Sequence, residues 1–156
     1  MRVGRFTSQE PAQERAQIRA AFAEGEMLQA LVAIKCLDEG VNIPSVKTAF
    51  ILASSTNPKE YIQRRGRVLR KFPGKEYALI FDFITLPFNV ETLGCQNTEM
   101  INSSKGLVKR ELIRMLDFAE MAENPSETYD LVYELKHGFE ITEEELNEEE
   151  VYSDVI

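Results

Sequence analysis

Short apolar runs alternate with longer polar segments along the first half of the chain. Residues 29–35 and 48–53 are nearly continuous apolar runs, the pattern that parallel strands show when both faces of their sheet are covered. Residues 3–6 and 76–84 are two further strand candidates. This pattern predicts four strands, with room for crossover helices between them.

The segments between the strands carry helix signals. Thr7 and Glu10 have the spacing of a capping box, which predicts a helix that is capped by Thr7 and ends before Gly25. A second helix is predicted over 58–72, ahead of a Pro73–Gly74 turn. Strands that alternate with helices imply βαβ units, so the predicted class is α/β with a parallel sheet and right-handed crossovers.

The hydrophobic pattern changes after Pro87. Residues 89–104 have no clear period and are predicted to be an irregular linker, whereas 105–123 form an amphipathic helix pattern. A further helix is predicted over 126–136, capped by Ser126 and closed by Gly138. The predicted organisation is an α/β domain, a helical extension and an acidic tail, over 1–88, 89–138 and 139–156.

Residues 61–70 concentrate arginine, glutamine and glycine on one predicted helix. At about 100° per residue, Gln63, Arg67 and Arg70 fall within an arc of about 60°. Gly66 lies beside this face, and a glycine inside a helix lowers helix stability by about 1 kcal/mol relative to alanine. Its presence is best explained by a ligand that approaches the backbone closely there. Guanidinium groups bind phosphate oxygens bidentately, so a phosphate chain is the candidate ligand, and a solvated basic helix is the alternative.

The net charge of −8 hides an uneven distribution. Residues 1–75 carry 13 Lys and Arg against 7 Asp and Glu, a net +6, whereas residues 76–156 carry 5 against 19, a net −14. Six of the twelve residues from 64 to 75 are basic, a local footprint for the phosphates of nucleotide or DNA. An acidic total therefore does not exclude nucleic acid as a partner.

Signals for export or membrane insertion are not recognisable. No apolar run approaches the roughly 18 residues that a membrane span needs, and the N-terminus has no signal-peptide pattern. We expect a cytoplasmic protein with no membrane partner. Cys36 and Cys95 are expected to be free thiols, His137 stands alone, and no metal site is predicted.

Two motifs carry a resemblance to a known family. Residues 32–44 resemble motif V, and residues 63–70 (Gln-Arg-Arg-Gly-Arg-Val-Leu-Arg) resemble motif VI, of the superfamily two helicases and translocases. Residues 7–25 are similar to the stretch that precedes motif V in that family. The resemblance covers residues 3–84 and is strongest to DNA translocases of the restriction-enzyme and excision-repair type, with RNA not excluded.

The resemblance implies a fold and a truncation. Residues 1–88 would be the second RecA-like domain of such a motor, a parallel sheet flanked by helices in the three-layer sandwich of P-loop NTPases. The strand and helix that ordinarily come before Val3 are missing from this sequence, and the helical segment after the domain resembles the extensions common in the family.

The resemblance also implies roles for individual residues. Arg67 and Arg70 would reach the triphosphate as arginine fingers, and Gln63 would help to order the attacking water. The other implied contacts are with the nucleotide at Gly40, Asn42 and Gly66, and with the nucleic acid at Lys35, Ser54 and Ser55. Two positions depart from the family: Ile34 stands where many members have a threonine that contacts nucleic acid, and Asn42 stands where many have aspartate.

Parts that a nucleoside-triphosphate motor needs are absent from the sequence. No Gly-x-x-x-x-Gly-Lys-[Ser/Thr] loop occurs: Gly74-Lys75 is followed by Glu76, and Leu69 stands where the first glycine should be. Asp38-Glu39 could be taken for a magnesium-binding pair, but the following Gly-Val-Asn-Ile-Pro favours motif V. ATP and Mg²⁺ would therefore be bound mainly by a first RecA-like domain, and the isolated chain is expected to be inactive.

Three functional hypotheses follow. The leading one is a C-terminal motor-domain fragment of an ATP-dependent DNA helicase or translocase, acting with an N-terminal RecA-like domain of the same protein and with restriction-system or repair subunits. The alternative is a non-catalytic nucleic-acid or protein-binding module on a degraded helicase fold. A complete small enzyme is disfavoured, because the sequence has no recognisable nucleophile–base pair or metal cluster.

Overall fold

The computed structural model describes residues 1–33, 43–52, 62 and 65–147. The chain divides into two compact units, Met1–Phe83 and Ile84–Ile156. The four described strands all lie in the first unit, and the described elements of the second unit are helical.

The first unit opens with a βαβ arrangement. β1 (Val3–Phe6) and β2 (Ala30–Ala33) pair in parallel, with Val3 opposite Ala30 and Phe6 opposite Ala33. α1 (Ala12–Glu24) makes the crossover between them. Both predicted strands, the helix and the parallel pairing are confirmed, while the continuation of β2 predicted over 34–35 lies outside the described residues.

A small apolar cluster holds these elements together. Phe6 and Ile43 are 4% and 5% exposed. The partly buried apolar side chains that pack against them are Ile18, Phe22, Leu31, Ala33 and Val46. Ala33 and Ile43, the described residues on either side of the motif V loop, therefore both belong to one core.

α1 begins later than the capping box predicts. Its first residue is Ala12, Pro11 is at the N-cap position, and no side chain caps the helix. The Glu10 carboxylate instead accepts a hydrogen bond from the Thr7 N–H at 2.5 Å and closes a separate turn. The predicted Thr7 cap is wrong because Glu10 precedes a proline, a position that disfavours helical backbone. The predicted stop is confirmed at Gly25, where φ is 76°.

A second parallel pair completes the described strands. β3 (Thr48–Ile51) and β4 (Leu79–Asp82) run with Thr48 opposite Leu79, and Phe50 stacks on Phe81 with ring centroids 4.8 Å apart. Between them, residue 62 and residues 65–68 are helical, and the latter are designated α2. Within the described ranges the sheets are two parallel two-stranded pairs, which confirms the predicted α/β class.

The second unit is built on two longer helices. A 3₁₀ helix at Val90–Cys95 precedes α3 (Thr98–Ala119) and α4 (Pro125–Gly138). The core of this unit consists of Leu93, Ile101, Val108, Leu112, Met115, Val132, Leu135, Phe139, Ile141 and Leu146. None of the described helices combines the length and apolarity that crossing a bilayer requires.

The start of each long helix differs from the prediction. α3 begins at Thr98 because the Asn97 side chain accepts a hydrogen bond from the Met100 N–H at 2.8 Å, so residues 89–104 are not an irregular linker. α4 begins at Pro125 rather than after Ser126. Proline suits the first helical position because its missing N–H needs no partner there.

The acidic segment starts inside this packed unit. Residues 143–147 are helical and are designated α5. Thr142 and Glu145 form a reciprocal capping box: the Thr142 N–H donates to the Glu145 carboxylate at 2.8 Å, and the Glu145 N–H donates to the Thr142 hydroxyl at 3.2 Å. Ile141 and Leu146 are 5% and 4% exposed, so this part of the segment has an apolar anchor.

Candidate functional site

Three of the predicted site residues lie in the described structure. Gly66 and Arg67 are on α2, and Arg70 follows it. The predicted site residues outside the described ranges are Gln63, Gly40, Asn42, Lys35, Ser54 and Ser55. The geometry of the site therefore rests on residues 65–70, the arginine segment, and on the chain packed around it.

The arginine segment is a shorter helix than predicted. The Leu69 N–H makes a hydrogen bond to the Arg65 carbonyl at 2.9 Å, and α2 ends at Val68 rather than near the Pro-Gly turn. Arg67 is half-buried and Arg70 is exposed. Arg67 thus stands on a helix and Arg70 on the segment after it, so the two arginines are not on one continuous helical face.

The two residues before Arg67 have different environments. Arg65 is 7% exposed, although the sequence did not single it out from the other arginines. A Cβ atom added to Gly66 would meet none of the atoms of the described residues within 4 Å, apart from its chain neighbours and its own helix backbone, and the Gly66 backbone is outside the left-handed region. Packing against the described residues therefore does not explain this glycine, and the approach of a ligand there stays a prediction.

Lys75 holds the end of the arginine segment. Its ammonium group donates hydrogen bonds to the carbonyl oxygens of Val68 and of Arg70, the second at 3.2 Å. The last carbonyls of a helix have no partner within the helix, and a nearby lysine satisfies them. These bonds explain why the helix ends where it does. Sequence reasoning missed Lys75, and the available signal was a basic residue just beyond a helix end.

A tight turn brings Lys75 back to α2. The Lys75 N–H donates to the Phe72 carbonyl at 3.0 Å, and Gly74 has φ of 76° after Pro73. Proline followed by a residue with positive φ is the pattern of a type II turn. The turn confirms the prediction from the Pro73–Gly74 pair. Partial burial lowers the pKa of the Lys75 ammonium from its ordinary value of 10.5.

The described end of motif V, residues 43–44, is hydrogen-bonded to Lys75. The Ile43 side chain is buried, and its carbonyl accepts a hydrogen bond from the Val46 N–H at 3.2 Å. The next carbonyl, that of Pro44, accepts a hydrogen bond from Lys75 Nζ at 3.2 Å. The end of motif V and the end of the arginine segment are therefore joined through one ammonium group.

A charged network lies beyond the carboxyl end of β1. Glu10 accepts hydrogen bonds from the Thr7 hydroxyl at 2.6 Å and from Arg5 Nε at 2.7 Å, in addition to the Thr7 N–H. The Thr7 hydroxyl, followed by the Thr7 N–H and Arg5, lowers the pKa of Glu10 from 4.5 to about 2 against the opposing effect of burial. Phe6 and Ala33 are the last residues of β1 and β2 and lie opposite each other. The turn after β1 therefore lies at the carboxyl end of this strand pair, where β2 carries the first residues of motif V.

The comparisons with known proteins match the first half of the chain. Residues 1–72 match the helicase conserved C-terminal domain. Over 72 residues the chain is 36% identical to the DNA 3'-5' translocase XPB2 of Sulfurisphaera tokodaii, an overlap of 46% of this chain and 16% of that relative. No solved structure matches the chain. The matched range contains both motifs and the arginine segment, so residues 1–72 are similar to the helicase conserved C-terminal domain, whose RecA-like fold agrees with the parallel α/β pairs of the first unit, and to a DNA translocase.

Proposed function

We propose that the chain is the second motor domain of a cytoplasmic ATP-dependent DNA translocase or helicase. In this proposal Arg67 and Arg70 supply positive charge to a composite ATP site whose phosphate loop belongs to a first RecA-like domain of the same protein. The observation that carries the proposal is the arginine segment within the matched range, with Arg70 exposed and Arg67 only half-buried. A guanidinium fork stays charged and binds phosphate oxygens bidentately, which suits the charge that develops during phosphoryl transfer.

The remaining predicted contacts divide between nucleotide and nucleic acid. Gln63 would order the attacking water, and the backbone at Gly66, where a Cβ would meet open space, would lie close to the phosphates. The other residues proposed for these contacts are Gly40 and Asn42 toward the nucleotide, and Lys35, Ser54 and Ser55 toward a DNA strand.

Magnesium is expected to be held elsewhere in the motor. Within the part of the chain that the structure describes, no three His, Cys, Asp or Glu residues are grouped so that they could hold a metal ion. We assign the metal ligands to the first motor domain, because the phosphate loop that would bind the nucleotide is proposed to lie there. Restriction-system or repair subunits are further proposed partners, because the resemblance includes translocases of both kinds.

Substitution of Arg67 tests the proposed role. In a protein that contains both motor domains, Arg67→Ala should lower the ATP turnover number measured with single-stranded DNA by about 10³-fold, the scale of arginine-finger loss. Lys71→Ala is the matched control, because it removes an exposed positive charge nearby and should change turnover by less than about twofold. Unchanged thermal unfolding of both variants would show that the fold is retained. Turnover of Arg67→Ala within about twofold of the parent would reject the assignment.

A binding module on a degraded helicase fold is the second candidate. It is favoured by the two departures from the family pattern, Ile34 and Asn42, at positions that ordinarily contact nucleic acid and nucleotide. Such a module would bind single-stranded DNA with the same affinity in the presence and absence of ATP, and Arg67→Ala would alter only that affinity. A nucleotide-dependent change in DNA affinity, lost in Arg67→Ala, would exclude it.

A further inference from the structure

Lys75 joins two segments that are distant in the sequence. Its Nζ atom donates to the carbonyls of Val68 and Arg70 at the end of the arginine segment, and to the carbonyl of Pro44 at the end of motif V. An ammonium group has three N–H donors and no acceptor, so these three carbonyls use its full capacity. The side chain is partly buried, and desolvation acts on its charge.

An ordinary helix cap does not account for the Pro44 bond. Capping α2 requires only a carbonyl at the end of that helix, which Val68 already supplies, and the Arg70 carbonyl lies two residues beyond the helix. Pro44 lies 31 residues before Lys75 in the chain and follows Ile43, which is buried in the core of the β1–β2 unit. The lysine therefore joins the helix end to the last residue of motif V, next to a side chain that is buried in the Phe6–Ile43 cluster.

We propose that Lys75 is a positioning residue that sets the register between motif V and the arginine segment, and so holds Arg67 and Arg70 where the triphosphate binds. This inference rests on the proposed function, in which those arginines act on the nucleotide. In this proposal the three donors of Lys75 are used by backbone carbonyls, so it acts through the arginines and not by binding nucleotide or nucleic acid. Its effect is geometric: without the ammonium, the carbonyls of Pro44, Val68 and Arg70 lose their common donor and the two segments can move apart.

A lysine suits this position better than an arginine would. The ammonium is a compact group whose three donors can point at three converging carbonyls, whereas a guanidinium is planar and presents its donors as a fork. Lys75→Arg keeps the charge and part of the hydrogen bonding, while Lys75→Met keeps the side-chain length and removes both. Lys75→Arg therefore tests a partial loss of the hydrogen bonds, and Lys75→Met tests their complete loss.

The kinetic test compares Lys75→Met with the control Lys71→Met, an exposed lysine four residues earlier, in a protein with both motor domains. We expect Lys75→Met to lower kcat by about 10²-fold, the scale of a 1 Å misplacement near the chemistry, with KM for ATP within about threefold of the parent. Lys75→Arg should recover part of this loss, and Lys71→Met should leave kcat unchanged. A kcat of Lys75→Met within about twofold of the parent would overturn the inference.

A double-mutant cycle separates positioning from general destabilisation. If Lys75 acts through Arg67 and Arg70, adding Lys75→Met to the Arg67→Ala/Arg70→Ala double variant should lower kcat by less than about twofold beyond that double variant alone. If the fold-loss in kcat from Lys75→Met is as large in the absence of the arginines as in their presence, Lys75 has a purely structural role and the inference is rejected. If Lys75→Met leaves kcat unchanged while Arg67→Ala lowers it, only this inference is rejected. If Arg67→Ala leaves kcat unchanged, the proposed function is rejected, and with it the role of Lys75 in positioning the arginines.

Hydrogen exchange on the chain itself gives an independent measurement. The reporters are the Leu69 N–H, bonded to Arg65 in the arginine segment, and the Val46 N–H, bonded to Ile43 beside motif V. Lys75→Met should speed exchange at both amides by about tenfold, and Lys71→Met at neither. Acceleration at Leu69 without any at Val46 would show a helix cap only and would overturn the proposed coupling.

Discussion

At the scale of the single residue, Glu10 has separate partners for its two carboxylate oxygens. Oε2 accepts hydrogen bonds from the Thr7 N–H at 2.5 Å and the Thr7 hydroxyl at 2.6 Å, while Oε1 accepts from Arg5 Nε at 2.7 Å. All three donors favour the charged carboxylate, because a protonated oxygen would lose acceptor capacity. The side chain is 7% exposed, so the turn after β1 depends on a buried anion.

The pH dependence of stability follows from this carboxylate. The folded state lowers the pKa of Glu10 from 4.5 to about 2, so its contribution is fully present above about pH 4.5 and is lost as the pH falls toward 2. Glu10→Gln should lower the free energy of unfolding at pH 7 and flatten its pH dependence between 4.5 and 2, measured by urea unfolding across that range. Glu26→Gln, at an exposed position, is the control and should leave the pH profile unchanged. Parallel profiles for Glu10→Gln and the parent would show that this network does not stabilise the fold.

At the scale of the element, the strands and the helices were not equally predictable. Apolar residues located all four described strands. The covering of both sheet faces that continuous apolar runs predict is not seen among the described residues, because Val32, Phe50 and Phe81 are exposed. The start of α3 was missed because its first turns are polar. Ser103 and Ser104 return their hydroxyl hydrogen bonds to the Met100 carbonyl at 2.9 and 2.8 Å, and serine and asparagine favour turns and caps in sequence-based reasoning.

The candidate site could be predicted from the sequence only where its signals are local. Arg67 and Arg70 were singled out because their spacing is local and belongs to one motif, and their role stays a prediction. Lys75 was missed because its meaning depends on the Pro44 carbonyl, which lies 31 residues away and is brought near only by the fold. The early end of α2 follows from the same bonds, so the predicted continuous arginine face failed for a non-local reason.

Asn97, the N-cap residue of α3, should contribute to the stability of the fold. Asn97→Ala removes the side-chain acceptor of the Met100 N–H and should lower the free energy of unfolding by about 1 kcal/mol. Asn102→Ala replaces an exposed asparagine inside the same helix and should be neutral or slightly stabilising, because alanine has the higher helix propensity. Chemical denaturation of the two variants measures the difference. Equal stabilities would show that Asn97 does not determine where α3 begins.

At the scale of the whole molecule, charge and core are distributed unequally between the two units. Met1–Phe83 carries 13 Lys and Arg against 9 Asp and Glu, a net +4, and Ile84–Ile156 carries 5 against 17, a net −12. The total of −8 therefore describes neither unit. Under the proposed function the DNA strand would be attracted to the first unit and repelled by the second, so association should depend on salt.

The buried clusters are divided in the same way. The helical unit has a continuous core in which Val108, Leu112 and Leu135 are each 0% exposed. In the described part of the first unit, the buried apolar residues are Phe6 and Ile43, which are 4% and 5% exposed. Because apolar burial is the dominant stabilising term, α3 and α4 should be the most protected part of the molecule.

Core truncations test whether each cluster stabilises its own unit. Leu112→Ala should destabilise the helical unit by about 2–5 kcal/mol, since it removes a fully buried side chain and leaves a cavity. Amide exchange in α3 and α4 should accelerate accordingly, while exchange in β1 and β2 stays within about twofold of the parent. Phe6→Ala should show the reverse pattern, because its neighbours are the side chains of α1, β2 and the segment after motif V. Acceleration in both units by either variant would mean that the molecule unfolds as one cooperative body, and the two cores would then stabilise the arginine segment together.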